Sequence, residues 1–249
     1  LGLTLPPSFP LWMAFLGGVV AIALGKLAWG GLGHNLFNPA LVGRAFLQAA
    51  FPIAITTWVP PGGPLALYRG NFALPFLLPP PDAVTGASPL NLMKFEGLRE
   101  ASAGLALGGV PGSLGETSAV AILLGGLYLL ARRAFDWRIP AGILATVAAA
   151  SAALHLIDPG RYPTASFMLL SGGLLFGTVY MATDPVTSPI APRGAWLFAI
   201  GVGLIVVLIR LWGGLPEGVM YAILIMNAAT PLIERVTQPR AFGHLRRAT

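Results

Sequence analysis

Residues 82–90, Asp-Ala-Val-Thr-Gly-Ala-Ser-Pro-Leu, place two hydroxyl groups among small side chains. The hydroxyl of Ser88 follows glycine and alanine, and an acid, Asp82, lies six residues before it. A hydroxyl on such a turn is accessible to an enzyme that transfers a phosphate-linked group. The same residues are typical of a plain turn followed by a helix that starts at Ser-Pro. Spacing alone leaves both interpretations open.

Three acids lie at or near the ends of apolar segments: Glu116, Asp184 and Glu217. An ionisable group in such a place is costly, which indicates an ion or proton pathway. Each acid equally fits a helix cap, as Asp184 would for a helix that starts at Pro185. Both roles stay open for each acid.

The segment from Gly30 to Arg44 combines glycines with Asn38-Pro39. Glycines allow close backbone approach to a ligand or a neighbouring helix. Asn38 is predicted to cap a helix whose first residue is Pro39, and an uncompensated helix start attracts anions. The alternative is ordinary helix-start chemistry, with Arg44 as a charge on the inner side of the membrane.

The composition excludes a soluble globular protein. Of 249 residues, 55% are hydrophobic and 10% charged, against roughly 25% charged in soluble domains. The absence of cysteine excludes disulfides and thiolate chemistry. Three histidines without HxxH spacing argue against a metal site. The net charge of +6 comes from basic residues spread between apolar segments, which argues against nucleic acid as a partner.

The elements that must position these residues are membrane helices. A span needs ~20 apolar residues, and seven segments qualify or nearly do: 10–29, 40–58, 116–132, 139–157, 164–182, 195–211 and 217–233. We therefore predict an all-α integral membrane protein with about seven transmembrane helices. With a cytoplasmic C-terminus, most Lys and Arg residues, Arg44 included, fall inside. That orientation makes residues 59–115 extracytoplasmic.

The chain divides into four predicted regions. They are the first two spans (1–58), a long outer loop with the hydroxyl motif (59–115), five further spans (116–234) and a basic cytoplasmic tail (235–249).

Trp-Gly-Gly-Leu occurs at residues 29–32 and again at 212–215, on opposite predicted faces. This repetition indicates an inverted repeat, although chance in a Gly/Leu-rich chain explains it equally well.

Taken together, the motifs resemble a known family. The strings GGLGHNLFNPALVGRAFL, DAVTGASPL, GSLGETSA, MATDPVTSP and PEGVMYAILIMNAATPLIE, followed by PRAFGH, run through nearly the whole chain in order. They are similar to the RnfD/NqrB family, which comprises a membrane flavoprotein of the Rnf electron-transport complex and its counterpart in the sodium-pumping NADH:quinone reductase. The ending resembles the Rnf protein more.

The resemblance implies a bundle of about ten helices in two inverted halves, similar to urea transporters. Five spans follow the long loop here and two precede it, so three N-terminal helices would be absent. A chain that begins with Leu agrees with an incomplete reading frame. We expect residues 1–58 to be the remainder of the N-terminal repeat.

The resemblance also implies FMN joined through its phosphate to the last residue of an Asp-x-x-[Ser/Thr]-Gly-Ala-Thr motif. The matching positions here are Asp82, Thr85, Gly86, Ala87 and Ser88. Ser88 departs from the usual threonine, and its hydroxyl can form the same phosphoester. Thr85 is the fallback attachment residue, and noncovalent FMN or none is the further alternative. A second flavin, riboflavin, is expected within the bundle without assigned residues.

By resemblance, the chain is one component of an ion-translocating ferredoxin:NAD oxidoreductase and not a stand-alone enzyme. Its expected partners are the other subunits of the complex, membrane lipid, and Na⁺ or H⁺ as the coupling ion. The expected location is the bacterial or archaeal cytoplasmic (inner) membrane. A flavin-free transporter or channel on the same fold, or a structural anchor subunit, remains the alternative.

Overall fold

The computed structural model describes residues 1–59, 69–73, 88–97, 102–215 and 217–238, and these residues are mostly helical without a β-strand. The prediction of an all-α protein is thereby confirmed. The α-helices, in chain order, are α1 (Leu11–Gly25), α2 (Pro39–Ala50), α3 (Pro52–Thr56), α4 (Pro89–Asn91), α5 (Ser102–Leu107), α6 (Ala119–Ala131), α7 (Arg138–Ile157), α8 (Ala165–Leu170), α9 (Leu174–Phe176), α10 (Pro192–Trp212) and α11 (Val219–Thr237).

Four helices in the described part are long and apolar enough to cross a membrane. They are Leu11–Trp29, in which α1 continues into a 3₁₀ turn, and the helices α7, α10 and α11. Each coincides with one of the apolar segments predicted to span. The chain is therefore a multi-pass membrane protein by the length and composition of its helices.

The other three predicted spans are shorter or interrupted, so the prediction of about seven full helices is not confirmed. The segment 40–58 divides at Phe51, because the residue before a proline avoids the helical region. Helix α6 has 13 residues. The segment 164–182 divides between α8 and α9, where Gly172 has a φ of 63°. From α9 the chain continues as a π-helical turn, Gly177–Met181.

The main core lies among α7, α10 and α11, with α9 and the π-helical turn packed against them. Small residues allow the helices to approach closely, as is common in membrane bundles. A Cβ on Gly142 of α7 would lie 2.6 Å from the Cβ of Ala199 in α10, and a Cβ on Gly203 would meet Thr146. Glycine at these positions therefore lets α10 pack directly against α7.

Helices α1 and α2 form a second packed unit, joined by the turn that contains Asn38. As predicted, the Asn38 side chain caps α2 and accepts hydrogen bonds from the N–H groups of Ala40 and Leu41. Its Nδ2 also donates to the carbonyl oxygen of Met181, at 3.1 Å. The cap therefore connects the first residue of α2 to the end of the π-helical turn.

The inverted repeat and the four predicted regions stay predictions. Both Trp-Gly-Gly-Leu segments follow a long helix and precede another, since Trp29 ends the first candidate span and Trp212 ends α10. Residues 60–68, 74–87 and 98–101 of the loop 59–115, and the tail beyond residue 238, lie outside the described residues.

Replacing Gly43 tests the contact between α1 and α2. A Cβ at this position would lie 2.6 Å from the carbonyl oxygen of Gly17, a backbone atom that cannot move aside alone. We expect Gly43→Ala to lower the free energy of unfolding in detergent by ~1–3 kcal/mol, the usual cost of overpacking. Gly18→Ala is the matched control, because nothing lies within 4 Å of its added methyl group. Equal stability of the two variants would contradict this packing.

Candidate functional site: a cavity beside a buried ion cluster

A cavity of about 240 Å³ lies among α2, α4, the segment before α6 and the segment before α11. Its apolar wall includes Ile55, Trp58, Leu90, Leu105 and Leu170. Its polar wall includes Arg44, Gln48, Ser88, Asn91, Glu116, Thr117 and Glu217. An apolar enclosure with a few convergent polar groups is the usual form of a small-molecule site.

Arg44 bridges two carboxylates at one side of the cavity. Its Nη1 donates to Oε1 of Glu116 at 3.0 Å, and its Nη2 donates to Oε2 of Glu217 at 2.8 Å. The side chains of Arg44 and Glu116 are 9% and 6% exposed, and that of Glu217 is 20% exposed. We call Arg44, Glu116 and Glu217 the triad.

The local sequence explains how each triad member reaches this point. Arg44 lies on the buried face of α2 with Leu41 and Leu47. Glu116 follows a turn in which its N–H donates to the carbonyl of Ser113 at 3.0 Å. The neighbouring Gly115 N–H donates to the carbonyl of Leu3 at 2.7 Å, which fixes this turn to the N-terminal segment.

Glu217 connects the triad to the break between α8 and α9. Its Oε1 accepts a hydrogen bond from the N–H of Gly173 at 2.7 Å. A Cβ on Gly173 would collide with the carboxyl oxygens of both Glu116 and Glu217. Residue 173 must therefore be glycine for the two acids to approach the broken helix this closely.

Arg210 of α10 holds the other side of the same break. Its guanidinium is 1% exposed and donates to the carbonyl oxygens of Met168 and Ser171, the latter at 2.8 Å. These carbonyls belong to the C-terminal end of α8, where positive charge is favoured. Arg210 therefore replaces the water that an exposed helix end would bind.

Ser88 lies on the cavity wall at the start of α4. Its side chain caps that helix by accepting a hydrogen bond from the N–H of Asn91 at 3.3 Å, as the Ser-Pro pattern predicts.

Nearby in the chain, Lys94 donates from Nζ to the carbonyls of Ile209 and Leu215 at 3.1 and 2.7 Å. Partial burial lowers the pKa of the Lys94 ammonium group.

The other predicted attachment residues, Asp82, Thr85, Gly86 and Ala87, lie outside the described residues. Among the residues that are described, no group of three or more His, Asp or Glu side chains could hold a metal ion.

The predicted helix caps at the three acids are wrong. Ser118 caps α6, and Gly218 precedes α11 without a side-chain cap, whereas Glu116 and Glu217 pair with Arg44. No helix starts at Pro185, and the next one begins at Pro192. Asp184 instead accepts hydrogen bonds from the Val186 N–H and the Thr187 hydroxyl in its own turn. The structure therefore brings two acids together and leaves the third elsewhere.

Sequence reasoning also missed the roles of Arg44 and Arg210. The positive-inside rule treats Arg44 only as a charge that indicates orientation and gives Arg210 no role, but both side chains are buried and hydrogen-bonded inside the protein. The available signal is position, because each arginine lies within an apolar helix and not between helices. An intramembrane charge of that kind indicates a buried partner.

The sequence profile of the NQR2, RnfD, RnfE family matches residues 1–243. The chain belongs to this family. It is 47% identical over 262 residues to the D subunit of the ion-translocating oxidoreductase complex of Stutzerimonas stutzeri. That alignment covers 98% of this chain and 73% of the relative.

Two other family members are similar at 41% identity, each over 98% of this chain. One is the D subunit of the proton-translocating ferredoxin:NAD(+) oxidoreductase complex of Clostridium ljungdahlii, covered over 72% of its length. The other is the D subunit of the Na(+)-translocating ferredoxin:NAD(+) oxidoreductase complex of Acetobacterium woodii, covered over 70%. The named coupling ion differs between these relatives.

Removing Arg44 tests the energetic weight of the triad. Arg44→Ala leaves two buried carboxylates without their shared cation, and we expect a loss of ~3–5 kcal/mol in the free energy of unfolding in detergent. Arg138→Ala is the control, because its pair with Asp136 is about one-third exposed and such pairs contribute at most ~1 kcal/mol. Similar losses in both variants would show that the triad is not a buried ion pair in solution.

Proposed function

We propose that this chain is the RnfD-type component of an ion-translocating electron-transport complex and carries FMN joined by a phosphoester to Ser88. Family membership supports the role within the complex. The flavin proposal rests on the position of Ser88. This residue lines a cavity of about 240 Å³ together with apolar and charged side chains. The predicted attachment residue Ser88 therefore lies on the wall of this cavity.

The residues around the cavity fit a flavin. Trp58, Leu90 and Leu105 are buried apolar side chains that can pack on a planar ring. Gln48 and Asn91 offer amide groups for its polar edge. The Ser88 hydroxyl accepts one hydrogen bond in the structure, from the N–H of Asn91, and esterification leaves its oxygen in the same place.

The flavin supplies the electron-transfer chemistry, while the protein supplies position and electrostatics. Among the described residues, Arg44, Glu116 and Glu217 can supply these electrostatics, because they place fixed and ionisable charge on the cavity wall. Glu116 and Glu217 are also candidates for the ion pathway, as is Asp184.

The setting follows from the same proposal. The chain works with the other subunits of an Rnf-type complex in the cytoplasmic membrane of a bacterium or archaeon, with Na⁺ or H⁺ as the coupling ion. Residues 59–115 face the outside and the C-terminus faces the cytoplasm. Riboflavin would be a second flavin within the bundle, with no residues assigned to it.

Changing Ser88 tests the flavin attachment. Ser88→Ala should abolish flavin fluorescence of the chain after denaturing electrophoresis, because the phosphoester oxygen is lost. Ser88→Thr should retain it, and Thr85→Ala should leave the modified peptide unchanged. The peptide carrying the added mass is then mapped by mass spectrometry.

Unmodified wild-type chain, from cells that flavinylate a threonine-containing relative, would refute covalent attachment. Flux of a small solute through proteoliposomes of such flavin-free chain would instead favour the transporter alternative. Unchanged turnover of the complex with Ser88→Ala would favour a structural anchor.

Asp184→Asn tests the ion pathway. Removing this half-buried charge should slow ion transport by the assembled complex more than it slows flavin reduction. The turn is retained, because the Asn oxygen accepts from the Val186 N–H and its NH2 group can donate to the Thr187 hydroxyl. Asp158→Asn is the control, since that acid accepts similar bonds from the N–H groups of Gly160 and Arg161 in an exposed turn. Equal slowing of both processes would indicate a folding defect and would contradict a role of Asp184 in the ion pathway.

A further inference from the structure

The hydrogen bonds of the triad leave one carboxylate oxygen different from the others. Oε1 of Glu116 and Oε2 of Glu217 accept from Arg44, and Oε1 of Glu217 accepts from the N–H of Gly173. Within the described part of the chain, Oε2 of Glu116 accepts no N–H bond. Three of the four oxygens are thus held by N–H donors, and the fourth is available to carry a proton.

The charge of the triad gives a reason for that proton. One guanidinium and two carboxylates leave one negative charge in excess on a wall that is almost fully buried. The next buried cation is Arg210, which attracts both carboxylates through space and offsets part of this charge. Its Nη groups donate to the carbonyls of Met168 and Ser171, so it does not hydrogen-bond to either acid. Two neighbouring carboxylates in a buried place disfavour each other's ionisation. The triad therefore favours binding one proton.

Ser113 is an independent observation at the same point. Its hydroxyl is completely buried and makes no hydrogen bond to a described residue, and it lies near enough to interact with the Glu116 carboxyl group. A hydroxyl can donate to a carboxylate and can accept from a carboxylic acid. Ser113 can therefore stabilise Glu116 in both protonation states, which a backbone N–H cannot do.

Glu116 is a better proton carrier than Glu217. Both oxygens of Glu217 already accept N–H bonds, so neither oxygen is without an N–H donor. Its side chain is also 20% exposed, compared with 6% for Glu116. Burial and the free oxygen thus both place the proton on Glu116.

We propose that Glu116 exchanges a proton at Oε2 and so compensates for negative charge that enters the cavity. The redox part of this proposal rests on the proposed flavin at Ser88. When a one-electron donor passes one electron to the flavin, the donor is oxidised by one electron and Glu116 takes up one proton from the buffered solvent, so this single carboxyl group compensates for one electron. Arg44 keeps Oε1 of Glu116 and Oε2 of Glu217 in place during this step. Because one electron and one proton enter together, the net charge of the cavity does not change.

Infrared difference spectroscopy of the detergent-purified chain tests the proton site without relying on turnover. Titration of the oxidised chain from about pH 9 down to about pH 6, above the range in which exposed carboxylates are protonated, should produce the carbonyl-stretch band of one protonated carboxyl group. Chemical reduction at constant pH within this range should produce the same band. Glu116→Gln should abolish this band in both experiments, because the amide accepts from Arg44 but cannot be protonated. Asp136→Asn should leave the band unchanged, because that acid pairs with Arg138 at the surface.

Ser113→Ala keeps the test decisive if Glu116→Gln fails to fold. This variant leaves the triad intact and should shift the frequency of the band, because the carboxyl group loses a hydrogen-bond partner. A band that persists in Glu116→Gln, or one that Ser113→Ala does not move, would overturn the assignment.

The two proposals fail in different ways. Titration of Ser88→Ala, which cannot carry flavin at that residue, still decides whether Glu116 binds a proton. Wild-type chain without flavin would refute the proposed function and the redox link with it. Flavin that is attached and reduced without a carboxyl band would overturn the redox link alone.

Discussion

One guanidinium shared by two carboxylates determines how the cavity is built. Arg44 presents its N–H donors in a rigid planar fork, and each of its Nη atoms donates to a different acid. A lysine ammonium is a compact point charge on a flexible stem and cannot reproduce that geometry. Because the acids precede different helices, Arg44 sets the relative position of α2, α6 and α11. The cavity shape follows from these three positions.

The break between α8 and α9 is stable because side chains from elsewhere satisfy its backbone groups. Irregular backbone at membrane depth requires such partners, since lipid offers none. Glu217 accepts from Gly173 on one side of the break, and Arg210 donates to Met168 and Ser171 on the other. The negative and positive partners match the partial charges of the two helix ends. Side chains of the protein thus satisfy the Gly173 N–H and the carbonyls of Met168 and Ser171 at this break.

The sequence predicted the long helices well and the interrupted ones poorly. Apolar length suffices for α7, α10 and α11, because each helix satisfies its own backbone. It does not locate the breaks at Phe51 and Ser171–Gly173, where dihedral restrictions and long-range side-chain bonds decide the outcome. The cap at Asn38 was predictable because capping is local. Glu116 and Glu217 were predicted as possible functional acids, but their partner Arg44 is distant in the chain and was therefore missed.

The order of the triad members along the chain has a consequence for biogenesis. Arg44 is separated from Glu116 by 72 residues and from Glu217 by 173. A chain is synthesised from its N-terminus, so α2 reaches the membrane while its guanidinium still lacks both counterions. Insertion of an unpaired arginine is unfavourable, by ~2.5–3.5 kcal/mol at a helix centre. The pairing of Arg44 is therefore complete only when α11, the last described helix, has entered the bilayer.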